Sequence, residues 1–368
     1  MTKILLVEEF KTTGGEEEVV YNLFSGLAAC SDFEVYIAAP KNAAYYKKHS
    51  FPEDRHLILP MKSKHDVESI RLLRGFVREQ GIDIVHSHGD RAGLIARIAC
   101  KGLPVQSVWT MHAYSGDNRI TQGGAKRKLK LFVQKLLNRY FTDRVICVSE
   151  NLQKIISAYM ESGSTTVIYN GIDLSRFNAV LHKAECRTEL RGLFAGRLSE
   201  QKGLPYLLEG IELARSRGVK VRVDIAGEGP MLTYVEAYIA EHGLMDSVQL
   251  LGFRSDIDEL LKESDFLLLP SLFEGFPVII LEALASGTPV IASAVNGVPE
   301  IVRDKTNGLL IEPSSSQSLC DAIEYVWRNR EWLCGASREA IRSAEDFSIE
   351  RMVDAHKFLY EELIAKGR

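Results

Sequence analysis

The sequence predicts an α/β fold made of two doubly wound, mostly parallel sheets. Three observations carry this expectation. Short apolar runs alternate with longer amphipathic segments, the pattern of strands joined by crossover helices. The alternation comes in two series, separated from Asn178 to Arg191 by a polar stretch without strong apolar periodicity. Glycines and polar residues follow directly after many of the runs, where the loops at the carboxyl ends of parallel strands meet ligands.

In the first series the runs are ILLV at 4–7, VYIAA at 35–39, HLIL at 56–59, DIVHSH at 83–88, VQSVWTMH at 105–112 and RVICVS at 144–149, with one more strand opening TVIYNGIDLSRF at 166–177. The second series reads LRGLFAG at 190–196, VRVDIAG at 221–227, VQLLG at 248–252, FLLLP at 266–270, PVIAS at 289–293 and GLLI at 308–311. Runs this continuously apolar suit strands buried on both faces. From Phe347 onward, apolar spacing at 349, 352, 353, 356, 359, 360 and 363 predicts a closing helix able to pack back across the joint. The expected domains are 1–178, 179–346 and a terminal helix at 347–368.

Among the loops, PSLFEGFPVIILEALASGTPVIAS from Pro270 to Ser293 is the most informative. Pro277 suits the first turn of a helix and Gly275 frees the backbone before it. That places Glu274 on the loop and Glu282 more than a turn inside the helix. Free N–H groups at the helix start favour phosphate, and a carboxylate on each side accepts bonds from sugar hydroxyls. Each glutamate alone also reads as an ordinary solvated residue; the joint spacing around Gly-Phe-Pro favours a nucleotide-sugar clamp. Arg197 and Lys202 flank a loop after the first strand of the second series, so both cations can converge on a diphosphate, although two surface cations would look the same. Gly14-Gly15 after the first strand allows close backbone approach, or forms an ordinary turn.

His86 and His88 point the same way at a strand end, and with His112 they could imitate a metal site. His112 is favoured for function because it closes a strand at the ligand edge. Asp256-Ile257-Asp258 looks like the DxD motif by which metal-dependent glycosyltransferases hold a divalent ion, but it opens a helix, where acids are favoured as caps. Capping is the expectation, and no metal.

The whole-chain totals are ordinary: 46% hydrophobic, 26% charged and a net charge of −4, which points to no nucleic-acid partner. No apolar run reaches the roughly 18–20 residues needed to span a bilayer. Met1-Thr2-Lys3 leads straight into the first run without a secretory signal pattern, and the six cysteines show no CxxC spacing, so a cytoplasmic protein is expected. Seven basic residues lie from Arg119 to Arg139 with no acid between Asp117 and Asp143, on an apolar helical spacing. A surface helix packed on the sheet explains this; so does peripheral contact of 126–140 with anionic lipid at the inner membrane face.

These residues together resemble glycosyltransferase family 4. The resemblance runs through Gly14-Gly15-Glu16, VHSHG at 85–89, TMHAY at 110–114, VSE at 148–150, YNGID at 169–173, FAGRLSEQKG at 194–203, AGEGP at 226–230, LGF at 251–253 and EGFPVIILEALASGTPVIAS. It implies the GT-B fold, two Rossmann-like domains facing across a cleft, and retaining transfer of a hexose or N-acetylhexosamine from a nucleotide-diphosphate sugar, with UDP expected. Neither a metal nor a further cofactor is implied. The resemblance assigns Arg197, Lys202, Gly15 and Val278 to the diphosphate. It assigns Glu274, Gly275, Phe276 and Pro277 to the donor sugar, Glu282, Gly252, Phe253 and Arg254 to ribose and nucleotide, and His112 with Glu274 to catalysis. Many members carry two glycines where this chain has Asn296-Gly297. The acceptor is unassigned. An isomerase resembling UDP-sugar 2-epimerases is the alternative on the same scaffold, because a fold does not fix a function; a sugar-nucleotide-binding subunit without turnover is a third reading.

Overall fold

Each apolar run becomes a strand in the computed structural model, which describes residues 1–9, 14–41, 51–112, 135–157, 164–177, 179–181 and 188–367. The first series forms β1 (Thr2–Val7), β2 (Phe33–Ala39), β3 (His56–Ile58), β4 (Ile84–His88), β5 (Gln106–Met111), β6 (Arg144–Cys147) and β7 (Thr165–Val167). The second forms β8 (Leu190–Ala195), β9 (Val221–Ala226), β10 (Val248–Gly252), β11 (Phe266–Leu269), β12 (Val290–Ser293) and β13 (Gly308–Ile311). Every pairing within the two sheets is parallel.

Strand order is β3-β2-β1-β4-β5-β6-β7 in one sheet and β10-β9-β8-β11-β12-β13 in the other. Both are doubly wound, Rossmann-like orders. The winding reverses between β1 and β4 and again between β8 and β11, and ligands of such sheets bind outside the carboxyl ends at these reversals. The central strands β4, β11 and β12 are buried at every residue, which is why they read as unbroken apolar runs rather than alternating ones.

Residues Met1–Ile172 and Ile349–Arg368 form one compact unit, and Asp173–Ser348 forms the other. In the second, Phe194, Ile225, Phe266 and Leu268 pack with Leu207, Leu208 and Ile211 from the helix Leu204–Ser216. In the first, Leu5, Val7 and Val85 pack with Leu73, Val77, Ile95 and Ala96.

The closing helix, Ile349–Gly367, belongs to the first unit and packs on the helix Gly15–Ala28 and on β5. Its buried face is Met352, Val353, His356, Leu359, Tyr360 and Leu363, the periodic positions of the sequence. Gly26 leaves room for Val353, whose Cγ2 would lie 2.4 Å from a Cβ there. The Ile349 N–H donates to the Ile172 carbonyl at 2.8 Å where the chain re-enters the unit. Among the described residues, no helix is long and apolar enough to cross a membrane.

Candidate active site

At the β8/β11 reversal the loops are locked together by glycines. β8 runs out through Gly196 to a single 3-10 turn, Glu200–Lys202, closed by Gly203. Gly203 has φ +67°, and a Cβ on it would lie 1.9 Å from the Pro270 carbonyl oxygen. Gly227, after β9, has φ +146°, and a Cβ there would meet the Gly196 carbonyl oxygen at 1.9 Å. Only glycine permits both the dihedral and the approach. The Leu272 N–H donates to the Gln201 carbonyl at 2.8 Å, and Gln201 Nε2 donates to the Phe273 carbonyl at 3.0 Å.

This stitching delivers Lys202 to Glu274. Lys202 Nζ donates to Glu274 Oε1 at 2.7 Å, with side chains 16% and 7% exposed. Ser271 Oγ donates to the same oxygen at 2.6 Å. The Glu274 N–H donates to Asn296 Oδ1 at 3.3 Å. Asn296 itself sits at φ +44°, in the left-handed region that asparagine tolerates better than most residues. The Asn-Gly departure therefore keeps the turn and adds a side-chain acceptor beneath the clamp.

Glu274, Gly275, Phe276, Pro277 and Val278 are all buried. The Phe276 ring packs edge-on against Phe347 at 5.4 Å, so only its backbone is offered to a ligand. Pro277 is the N-cap residue of the helix Val278–Ser286, one position earlier than the first turn expected for it. Val278 opens the helix, where the first N–H groups have no intrahelical acceptor, and Glu282 lies in its second turn, half-buried. Arg197 is exposed.

At the end of β10, Gly252 has φ +65° and Phe253 is 62% exposed. Arg254 forks onto Asp256, with Nε donating to Oδ1 at 2.7 Å and Nη2 to Oδ2. That bond holds the Asp256 carboxyl below its usual range. This corrects the capping expectation: Asp256 occupies the N-cap position of the helix Ile257–Glu263 but makes no side-chain cap bond. A guanidinium fork two residues away outcompetes single backbone N–H donors. Asp258 lies in the helix's first turn, where an acid is favourable.

In the first unit, Gly14 is the N-cap and Gly15 the first residue of the helix Gly15–Ala28, and the Gly14 N–H donates to Glu17 Oε2 at 2.9 Å. His112 follows β5, with Nε2 3.0 Å from His88 Nδ1 and 3.8 Å from Glu16 Oε1. His86 is fully engaged, Nδ1 with Tyr360 Oη and Nε2 with Thr110 Oγ1, both at 2.6 Å. Burial pushes His112 down to about 4 against the opposing charge of Glu17. His86 and His88 fall well below the ordinary histidine range, through burial first and neighbouring histidines second. No group of three or more metal-ligating side chains is assembled among the described residues. Of the basic stretch 126–140, residues 126–134 lie outside the described residues, and 135–141 are helical.

The sequence reading missed Ser271 and Asn296 as supports of Glu274, and His356 and Tyr360 as neighbours of the β4 histidines. The available signal was a histidine at an otherwise apolar helix position, 356, one turn before Tyr360 on the same face.

Residues 13–176 match the family model described as Glycosyltransferase Family 4, and residues 186–345 match the one described as Glycosyl transferases group 1. The UDP-Gal:alpha-D-GlcNAc-diphosphoundecaprenol alpha-1,3-galactosyltransferase of Escherichia coli is 30% identical over 318 residues, 81% of this chain and 80% of the relative. The amylovoran biosynthesis glycosyltransferase AmsK of Erwinia amylovora is 33% identical over 174 residues, 45% of this chain and 42% of its own. Among solved structures, Anabaena HepE in complex with UDP superposes with a TM-score of 0.82 at 21% identity, covering 98% of this chain and 100% of that one. Sucrose-phosphate synthase from Thermosynechococcus elongatus gives 0.84 at 20% identity, covering 100% of both chains. At such identity these two structures speak to fold alone.

Proposed function

The chain belongs to the group 1 glycosyltransferases with a family 4 first half, and we propose that it moves a hexose or N-acetylhexosamine from a UDP-sugar to a hydroxyl of a glycan or lipid-linked acceptor. The proposal includes retention at the anomeric carbon and independence of metal. The observation that carries it is the buried Lys202–Glu274 pair at the β8/β11 reversal, beside the start of the helix Val278–Ser286.

In this reading Lys202, Arg197 and the first N–H groups of that helix bind the diphosphate, and Glu274 accepts from donor-sugar hydroxyls. Glu282 holds the ribose, and the turn at Gly252, Phe253 and Arg254 meets the nucleotide. As the anomeric C–O bond breaks, negative charge gathers on the leaving diphosphate, where fixed cations and helix amides stabilise it more than they stabilise the bound donor. The acceptor oxygen bonds the anomeric carbon, its proton goes to the departing phosphate oxygen, and UDP is the second product. His112 and Gly15 enter through the family resemblance, as residues of the first unit.

A UDP-sugar donor is supported by the printed name of the Escherichia coli relative. A lipid-diphosphate-linked acceptor is supported by the same relative's name, and would give the basic stretch 126–140 a reason to meet an anionic membrane surface. The test is a thermal-shift panel of UDP-glucose, UDP-galactose and UDP-N-acetylglucosamine, followed by UDP release with and without N-acetylglucosaminyl-diphospho-lipid. Stabilisation by a UDP-sugar and acceptor-dependent UDP release are expected. Conversion of the donor to an isomeric UDP-sugar without acceptor would overturn the transferase reading.

A further inference from the structure

We propose that His88 is a positioning residue for His112, fixing which of its two ring nitrogens carries the proton. The inference deepens the reading of His112 as a donor-sugar contact, and rests on that reading only for its consequence in turnover.

β4 and β5 are neighbouring parallel strands with His88 opposite Thr110, so His112 emerges beside His88. Their rings lie 5.3 Å apart with planes 27° from parallel, and His88 Nδ1 is 3.0 Å from His112 Nε2. Burial keeps both rings neutral at physiological pH. A neutral imidazole has one N–H and one bare nitrogen. A bond between two such rings needs one proton: two would clash, and none would set lone pair against lone pair. Two arrangements remain. Either His88 donates, leaving His112 with an Nδ1–H, or His112 donates from Nε2, leaving its Nδ1 bare and an N–H on His88 Nε2. The outer nitrogens are thus complementary, and the tautomer of one ring dictates that of the other.

Both outer nitrogens, His88 Nε2 and His112 Nδ1, are buried without a hydrogen-bond partner among the described residues. Both rings line one small cavity with Thr110, Tyr169, Asn170 and His356. Unsatisfied buried nitrogens are costly, so this is where an incoming hydroxyl or water is taken up. The Glu16 carboxylate, 3.8 Å from His112 Nε2, tips the pair toward a proton on that nitrogen, and beyond hydrogen-bond reach it cannot hold the proton there without His88 as the acceptor. His112 Nδ1 is then an acceptor, suited to a donating hydroxyl.

The test needs no substrate. Protein labelled with 15N in its nine histidines is read at pH 7.5 by long-range proton–nitrogen correlation, which separates the two tautomers by nitrogen shift. His112 is expected as a single Nε2–H tautomer. In His88→Gln, whose amide reaches the Nε2 position and leaves the Nδ1 position empty, a tautomer mixture is expected. In His88→Asn, whose amide occupies the Nδ1 position, a single tautomer is expected again. Trp109 emission in a Trp327→Phe/Trp332→Phe background verifies that the first unit of each variant is folded, and His88→Leu repeats the removal if Gln does not fold. An unchanged His112 tautomer in folded His88→Gln or His88→Leu overturns the proposal. Loss of turnover in His112→Ala, or its absence, bears only on the sugar-contact reading.

Discussion

Lys202 Nζ and Glu274 Oε1, 72 positions apart in sequence, meet at 2.7 Å in a nearly buried ion pair. In the proposed site a diphosphate arriving at Lys202 competes with this carboxylate for the ammonium, which would couple nucleotide binding to release of Glu274 toward the sugar.

Replacing Glu274 by Gln should leave UDP affinity intact or raise it by up to about tenfold, while turnover falls at least about a hundredfold. Lys202→Ala should weaken UDP about tenfold or more. It should also cost about 3 kcal/mol of stability, because a buried carboxylate loses its cation. Isothermal titration with UDP and urea unfolding measure both. Equal loss of UDP affinity in the two variants would contradict the assignment.

Gly203→Ala combines φ +67° with a 1.9 Å approach to the Pro270 carbonyl oxygen, whereas Gly218→Ala has φ +80° and nothing within 4 Å. The second should cost about 1 kcal/mol, and the first at least about 2 kcal/mol more. Urea midpoints of the two variants settle it, and similar values would mean that the loop relaxes freely.

Below neutral pH the first unit should weaken. His112 and His356 sit at about 4 in the fold, down from 6.5, with His86 and His88 also lowered. The unfolded chain takes up these protons as pH falls through 6.5 and the fold does not until about 4. The stability is therefore whole above 6.5 and lost down to about 4, with of order 3 kcal/mol at stake for His112 and for His356. Trp109 lies in this unit, and the other two of the three tryptophans, Trp327 and Trp332, lie in the second. Urea unfolding read by Trp109 in a Trp327→Phe/Trp332→Phe background, repeated from pH 7.5 to 4.5, should show the loss.

Tyr360→Phe removes the hydroxyl bonded to His86 Nδ1 at 2.6 Å. A buried ring nitrogen then lacks its partner, and about 1–2 kcal/mol should be lost in the Trp109-detected transition. Unchanged stability would mean that water replaces the phenol.

EDTA should leave transfer unchanged, since the proposal gives the leaving diphosphate to Arg197, Lys202 and helix amides. Loss of activity restored by a divalent ion would reopen the roles of Asp256 and Asp258.

The strands were legible because parallel strands covered on both faces have no polar positions to alternate with. Glu282 was legible as a helix residue from Gly-Phe-Pro ahead of it. What stayed hidden was tertiary. The spacing of Glu274 says nothing of Lys202 or Asn296, which arrive from other loops, nor of which way the Ser271 hydroxyl turns within its own. His86 and Tyr360 are 274 positions apart, and only the periodic face of the last helix hinted that a histidine there would be buried. Asp256 was misread because helix-start statistics ignore a competitor, Arg254, two residues upstream.

The helix Ile349–Gly367 gives the first unit a peculiar relation to the ribosome. Residues Met1–Ile172 emerge before the second unit, yet the face of Gly26, the ring of His86 and the flank of β5 stay uncovered until residues after Ser348 have been made. The second unit is one contiguous segment and can close as soon as it has left the tunnel. The unit whose translation begins before the second is thus completed only after it, and a nascent chain stalled within the second unit would display apolar surface for chaperones to hold.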